Sequence, residues 1–105
     1  MQQLVPLGAS NIIELGCSTG ALGETIKLRQ PAKVFGVELL EDYACQARER
    51  LDRVVVLDAE TFASGQPPHE APFDCLIAAD VLEHLVDPWE TLRHTVEMLA
   101  PGATV

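Results

Sequence analysis

The sequence predicts an alternating α/β domain, with a doubly wound parallel sheet that is covered by helices on both faces. Short apolar runs alternate along the chain with segments of helical spacing. The runs are apolar on both faces, as strands of a covered parallel sheet are. Glycines or carboxylates follow the first four runs, where an open parallel sheet binds its ligands. The 105 residues fit a single domain over residues 1–105.

The first strand and helix are predicted from a short apolar run and the spacing that follows it. Asn11–Leu15 is an apolar run closed by a glycine, which indicates a buried strand. Ala21–Arg29 is expected to be helical, because Leu22 and Ile26 lie four residues apart and Pro31 ends the segment.

The next three elements repeat this alternation. Lys33–Leu39 is mostly apolar and predicts the second strand, and β-branched Arg53–Leu57 predicts the third. Between them, Glu41–Leu51 is expected to be a helix. Its apolar stripe consists of Leu40, Ala44, Ala47 and Leu51.

The second half of the chain begins with an irregular segment. Residues 59–72 have no periodicity and contain three prolines, so we expect a loop with room for one helical turn. Phe73–Ala78 predicts the fourth strand. A capping box formed by Asp87 and Glu90, with Pro88 at the first helical position, predicts the start of another helix.

That last helix has an apolar face and a defined end. The residues on the face are Trp89, Leu92, Val96 and Leu99. Pro101 and Gly102 stop the helix, and Ala103 begins a fifth strand. Because the chain stops as this strand begins, we expect the carboxyl-terminal strands of the domain to be missing.

Composition and charge exclude several classes of protein. Apolar residues make up 48% of the chain, which is enough for a core and argues against disorder. The net charge of −9 repels phosphate backbones, so nucleic acid is not the expected partner. No apolar run approaches the roughly 18–20 residues of a membrane span. Three cysteines without a CxxC pair are typical of a reducing compartment, so a cytoplasmic location is expected.

Candidate binding residues follow the predicted strands. Gly16 and Gly20 frame the turn after the first strand, and they let the backbone approach a ligand closely. Glu38 lies at the end of the second strand, where a carboxylate accepts hydrogen bonds from both hydroxyls of a ribose. Asp58 follows the third strand and suits an exocyclic amine such as that of adenine. Asp80 follows the fourth.

Neighbouring positions complete this candidate site. The backbone amide of Ala59 is placed to donate to a purine ring, and Leu39 with Leu40 offers apolar surface for stacking. Each feature also has a purely structural interpretation: the glycines make an ordinary turn, and Asp80 caps the turn that follows it.

Four segments in this order resemble the class I S-adenosylmethionine-dependent methyltransferases, over nearly the whole chain. Residues 12–24 are similar to their first motif, 34–39 to the ribose-binding strand and 55–60 to the adenine-binding strand. Residues 73–85, with the following DPWETL and LAPGA, are similar to the fourth strand and its helix. The resemblance implies a Rossmann-like fold, bound S-adenosylmethionine, and a small-molecule acceptor of the quinone or glycan-precursor type.

The resemblance also assigns roles within the first motif. The implied cofactor-binding residues there are Glu14, Gly16, Cys17, Ser18 and Gly20. Glu14 either supports the methionine end of the cofactor or simply holds loop amides. Cys17 offers a backbone amide and otherwise fills space. Ser18 departs from the pattern, because the family has its middle glycine there.

Asp80, Glu83 and His84 share one side of a helical turn if one begins at Asp80. Some methyltransferases of similar pattern place a divalent metal on such a segment, which makes these three residues the metal candidates. The other interpretation is that His84 acts as a general base, since an unperturbed imidazole titrates near neutrality.

The remaining cysteines, histidines and the tryptophan have structural interpretations. Cys45 and Cys75 are expected to be packing residues, and Trp89 is expected to face the core. His69 and His94 are expected to face solvent.

Two other functions remain open at this level. The first is an NAD-dependent dehydrogenase, which Glu38 also suits, although Ser18 and Ala21 stand where a dinucleotide turn has glycines. The second is a non-catalytic cofactor-binding or assembly fragment. An unfinished sheet exposes an edge strand that tends to pair with another chain, so we expect a homodimer.

Overall fold

The computed structural model describes residues 5–6, 8–78 and 88–104. Strands and helices alternate along this part of the chain. In order they are β1 (Asn11–Leu15), α1 (Ala21–Arg29), β2 (Lys33–Glu38), α2 (Glu41–Ala47), β3 (Arg53–Val56), α3 (Ala59–Ser64), β4 (Phe73–Ile77), α4 (Pro88–Val96) and β5 (Leu99–Thr104). No helix in the described ranges is long and apolar enough to cross a membrane.

The five strands form one parallel sheet in the order β3-β2-β1-β4-β5. The chain winds outward from β1 to β3 and then crosses to β4 on the other side of β1. The direction in which strands are added to the sheet thus reverses between β1 and β4. Ligands of open α/β sheets bind beyond the carboxyl ends of the strands at such a point. The predicted doubly wound parallel sheet is confirmed.

Alternation along the strands divides the core into two layers. The layer facing α1 and α2 contains Ile12, Ile26, Val34, Ala44, Ala47, Val54 and Cys75. The layer on the side of α3 contains Ile13, Leu15, Phe35, Val37, Phe62, Phe73 and Leu76. Since neighbouring residues of a strand point to opposite faces, both sides of β1 and β2 are covered and these strands are apolar throughout.

Side chains fix the amino edge of the sheet, where the strands begin. The Asp74 carboxylate accepts hydrogen bonds from the backbone amides of Ser10, at 3.0 Å, and Asn11, at 3.1 Å. The Asn11 side-chain amide donates to the carbonyls of Glu70 and Pro72, both at 2.8 Å. These bonds hold the start of β1 against β4 and the loop before it.

Several element boundaries differ from the sequence prediction. Residues 59–64 form helix α3, because the Asp58 side chain caps it and Ala59, Phe62 and Ala63 are buried. Helix α2 ends at Ala47 instead of Leu51. Strand β5 begins at Leu99 and runs through the Pro-Gly pair that was expected to precede it. β5 lies at the edge of the sheet and its register with β4 is irregular, and edge strands and bulges are where sheets tolerate proline.

Two side chains lie on the surface and not in the core. Trp89 is 79% exposed, so the prediction that it faces the core is wrong: it lies on the opposite side of α4 from buried Thr91 and Thr95. Cys45 is exposed next to buried Ala44, and its predicted packing role is also wrong. Cys75 is buried as expected.

Candidate functional site

The turn between β1 and α1 is built on backbone conformations that side chains disfavour. Gly16 and Gly20 have φ angles of 69° and 83°, in the left-handed region that glycine adopts readily. The amides of Gly16 and Cys17 both donate to the Val37 carbonyl, at 2.7 and 3.1 Å. The turn is therefore bound directly to β2.

A second set of contacts braces the same turn from outside. The Arg50 guanidinium, just after α2, donates to the Thr19 carbonyl at 2.8 Å and lies 3.6 Å from the Glu24 carboxylate. A Cβ on Gly20 would lie 3.1 Å from Ala47 Cα, so the turn packs closely on the end of α2. The loop is held between β2 and α2.

Ser18 occupies the left-handed region with φ of 54°, the only described non-glycine residue with positive φ. This is the position at which the family pattern has glycine. The Ser18 amide donates to Glu38 Oε1 at 2.7 Å, so the strained conformation aims the loop backbone at the end of β2.

We expect Ser18→Gly to raise the free energy of unfolding by roughly 0.5–1 kcal/mol. Glycine relieves the left-handed conformation, which costs other residues about 1–2 kcal/mol, but it also increases the entropy of the unfolded chain. Urea unfolding measures the change, with Ser18→Ala as the matched control that keeps the strain. Equal stability of the glycine and alanine variants would contradict the assignment.

Two carboxylates lie on the same face at the carboxyl ends of β1 and β2. Glu14 pairs with Gly36 across the two strands, and Glu38 follows two residues later on that face. Both are buried, at 4% and 8% exposure. The Glu38 oxygens accept from the amides of Ser18, at 2.7 Å, and Leu40, at 2.9 Å.

Glu14 carries an unsatisfied oxygen. Within the described part of the chain, its Oε1 atom is buried and has no hydrogen-bond partner. Burial raises the pKa of the Glu14 carboxyl to about 7, and the negative charge of Glu38 acts in the same direction. A buried polar atom without a partner is unfavourable, and it is the feature of this site that most directly calls for a ligand.

Two glycines make space for the side chains of Leu51 and Cys17 around this carboxylate. A Cβ on Gly23 would lie 2.4 Å from Leu51 Cδ2 and 3.4 Å from Glu14 Oε1. A Cβ on Gly36 would lie 2.7 Å from Cys17 Sγ. Neither glycine was singled out from the sequence. The available signal was the position of Gly23 inside a helical pattern and of Gly36 inside a strand pattern, since such glycines often mark a close approach of neighbouring atoms to the backbone.

Cys17 fills the space beneath the turn. Its side chain is buried, and burial together with the charges of Glu14 and Glu38 raises the pKa of the thiol to about 12. The thiol is therefore protonated at neutral pH, which is consistent with its predicted packing role and disfavours nucleophilic chemistry.

The carboxyl ends of β2 and β3 present apolar surface. Leu39, Leu40 and Leu57 are 60%, 53% and 41% exposed. Asp58 directly follows Leu57 and Ala59 begins α3, so the residues predicted for a purine lie just after two adjacent strands. Parallel strands bring these segments to the same edge of the sheet as Glu14 and Glu38.

The last group of predicted residues lies outside the described ranges. Asp80, Glu83, His84 and the capping residue Asp87 all fall within residues 79–87. The predicted cofactor contact of Asp80, the base His84 and the metal candidates thus stay predictions. Among the described residues no group of three His, Cys, Asp or Glu side chains is arranged to hold a metal ion.

The two described histidines differ in exposure, and Thr61 makes contacts that the sequence analysis did not predict. The His69 side chain is 83% exposed, as expected, and His94 is partly buried, at 33%. Thr61 was missed: it donates to both oxygens of Asp58. Its spacing three residues after an aspartate that caps a helix was the available signal.

Comparison with known proteins relates this chain to methyltransferases. A family model described as a methyltransferase domain matches residues 13–105. The chain is 31% identical over 104 residues to a ubiquinone biosynthesis O-methyltransferase from Xylella fastidiosa (strain 9a5c), covering 93% of this chain and 41% of that protein.

Solved structures of methyltransferases share the fold. CalS10 bound to SAM, an amino pentose methyltransferase from Micromonospora echinaspora, superposes with a TM-score of 0.73 at 29% identity, covering 91% of this chain and 41% of CalS10. An S-adenosylmethionine-dependent methyltransferase from Mesorhizobium loti superposes with a TM-score of 0.80 at 21% identity, covering 97% of this chain and 48% of that one.

The chain thus spans less than half of the length of each of these relatives. The family match nevertheless covers most of its residues, including the turn after β1 and the ends of β2 and β3. On this evidence the chain belongs to the methyltransferase domain family.

Proposed function

We propose that this chain binds S-adenosylmethionine at the carboxyl edge of its sheet, as part of an enzyme that methylates a small molecule. The observation that carries the proposal is the buried Oε1 atom of Glu14, which lacks a hydrogen-bond partner in the described part of the chain, beside a turn built on Gly16 and Gly20. A buried carboxylate at this edge of the sheet favours a cationic ligand with amine donors beside it.

The residues present fit this cofactor at each of its parts. Glu14 and Glu38 supply negative charge for a sulfonium ion and its ammonium group. Glu38 has acceptor positions left for ribose hydroxyls, since a carboxylate offers about four and two are used by backbone amides. Leu39 and Leu57 offer apolar surface for the purine, and Asp58 offers an acceptor for its amine.

In the proposed reaction the protein mainly binds and orients. S-adenosylmethionine supplies a methyl group already activated by its positively charged sulfur. Glu38 and Asp58 hold the nucleoside, while the rigid turn from Gly16 to Gly20 forms a wall that excludes water from one side. Alignment of this kind accounts for several kcal/mol of rate acceleration in general, about 7–11 kcal/mol at most. His84 remains the proposed base for a hydroxyl acceptor.

The acceptor belongs to the proposal as well. A quinone-type or glycan-type small molecule is supported by the names of two relatives, a ubiquinone biosynthesis O-methyltransferase and an amino pentose methyltransferase. The net charge of −9 supports a small molecule over nucleic acid.

Self-association is the proposed state of this chain. Strand β5 (Leu99–Thr104) lies at the edge of the sheet next to β4 in the described part of the chain. Edge strands present backbone groups that pair with another chain. Light scattering measures this directly, and a monomer at high concentration contradicts it.

Calorimetry tests the cofactor proposal. We expect the protein to bind S-adenosylhomocysteine and not NAD, and we expect Glu38→Ala to weaken binding roughly 10- to 150-fold, the range for a hydrogen bond to a charged group. Glu97→Ala is the matched control, because Glu97 is exposed and precedes β5 at the opposite edge of the sheet. NAD binding without S-adenosylhomocysteine binding would overturn the proposal, and an unchanged Kd in Glu38→Ala would remove Glu38 from the site.

A further inference from the structure

Asp58 is held by more contacts than a helix cap needs. Its Oδ1 atom accepts from the Thr61 backbone amide at 2.7 Å, which is the usual bond of an N-cap residue. Its Oδ2 atom accepts a second bond, also 2.7 Å, from the Thr61 hydroxyl. Both oxygens are thereby fixed by one residue, and the orientation of the carboxylate plane is set.

The hydroxyl also favours the ionised state of Asp58. Hydrogen bonds from the Thr61 hydroxyl, then from its amide, lower the pKa of this carboxyl from its ordinary value. An ionised carboxylate only accepts hydrogen bonds. The backbone amides of Asp58 and Glu60 act in the same direction, and the carboxylate lies at the surface, where a ligand can reach it.

A fixed and ionised Asp58 carboxylate distinguishes a 6-aminopurine from a 6-oxopurine. The amine of a 6-aminopurine donates to it, whereas the carbonyl of a 6-oxopurine meets it with like partial charge. Leu57, which is 41% exposed, directly precedes Asp58 at the end of β3, on the surface proposed for the purine.

We propose that Thr61 is a positioning residue, which fixes the Asp58 carboxylate as an acceptor and so sets the preference of the site for a 6-aminopurine over a 6-oxopurine. This inference rests on the proposed binding of S-adenosylmethionine. Thr61 acts through Asp58 and does not itself contact the ligand.

The test compares two ligands that differ only at the purine. Calorimetry gives the Kd of S-adenosylhomocysteine and of S-inosylhomocysteine for the unmodified protein, Thr61→Val and Thr61→Ser. Valine has the shape of threonine without the hydroxyl and keeps the backbone amide, whereas serine restores the hydroxyl. Thr61 is exposed, so neither substitution disturbs the core.

The ratio of the two Kd values is the readout, because a purely structural loss weakens both ligands equally. We expect Thr61→Val to reduce the preference for the adenine ligand about three- to tenfold, less than the loss of a direct hydrogen bond to a charged group because Thr61 acts only through Asp58, and Thr61→Ser to keep it. Asp58→Ala is expected to remove the preference, and adding Thr61→Val to it is expected to have no further effect.

The outcomes separate the two proposals. If the unmodified protein does not bind S-adenosylhomocysteine, the proposed function fails and this inference fails with it. If it binds but Thr61→Val keeps the full preference, or loses affinity for both ligands equally, only the role of Thr61 is overturned.

Discussion

Glu14→Gln is expected to stabilise the protein at pH 8 by up to about 3 kcal/mol, while weakening cofactor binding. Burial and the charge of Glu38 raise the pKa of the Glu14 carboxyl from 4.5 to about 7. Each pKa unit corresponds to about 1.4 kcal/mol, so ionisation of the Glu14 carboxyl lowers the free energy of unfolding. A neutral amide of the same shape has no charge to bury and so avoids this destabilisation.

The sign and the pH window follow from linkage. Below pH 4.5 the Glu14 carboxyl is protonated in both the folded and unfolded states. Between its unfolded pKa of 4.5 and its folded pKa of about 7, only the folded state holds the proton, so stability falls as the pH rises. The advantage of glutamine is therefore expected to shrink to less than about 1 kcal/mol at pH 5.

Urea unfolding at pH 5 and pH 8 measures both values. Glu49→Gln is the control, because Glu49 is exposed and its substitution removes one charge without changing a buried site. A gain of equal size at both pH values, or none at pH 8, would contradict the assignment. Calorimetry with S-adenosylmethionine completes the experiment, and here we expect a loss of about tenfold or more.

Phe73→Ala is expected to lower the free energy of unfolding by about 3–5 kcal/mol, the range for a buried aromatic residue. Phe73 is fully buried at the start of β4, and its ring centroid lies 5.7 Å from that of Phe35. Phe35 contacts Phe62 of α3 at the same centroid distance. Removing Phe73 leaves a cavity in the layer beneath α3.

The same substitution is expected to leave ligand binding by the folded protein nearly unchanged, because Phe73 lies at the amino edge of the sheet. Urea unfolding gives the stability and calorimetry gives the Kd of S-adenosylhomocysteine. Phe73→Leu is the control and is expected to cost less, since it removes less volume. A stability loss below about 1 kcal/mol in Phe73→Ala would show that the site collapses around the missing ring.

The sequence predicted most of the fold because the evidence for it is local. The first two strands and α1 show their apolar runs and spacing directly, and their starts agree with the structure. Helix α3 was predicted only as one possible turn within a loop, because its six residues have no visible periodicity and it depends on the cap by Asp58 and the burial of Ala59, Phe62 and Ala63. Trp89 was misplaced because periodicity identifies a stripe on a helix but not which neighbour covers it.

The candidate site was predicted less completely than the fold. Glu14, Glu38 and the turn glycines were found because the carboxyl ends of parallel strands share one edge. The positive φ of Ser18 and the space beside Gly36 depend on contacts between segments distant in sequence, namely with Glu38 and Cys17. No single-segment pattern encodes such contacts.

The brace that Arg50 places on Thr19 and Glu24 has a consequence for the thermodynamics of recognition. A disordered loop loses conformational entropy when it closes on a ligand. The free-energy cost is about 0.5–1.5 kcal/mol for each immobilised side chain. Here that entropy is already lost when the polypeptide folds. We therefore expect a ligand to bind a preformed loop. Differences in affinity between ligands would then come from the polar groups and the hydration of the ligands themselves.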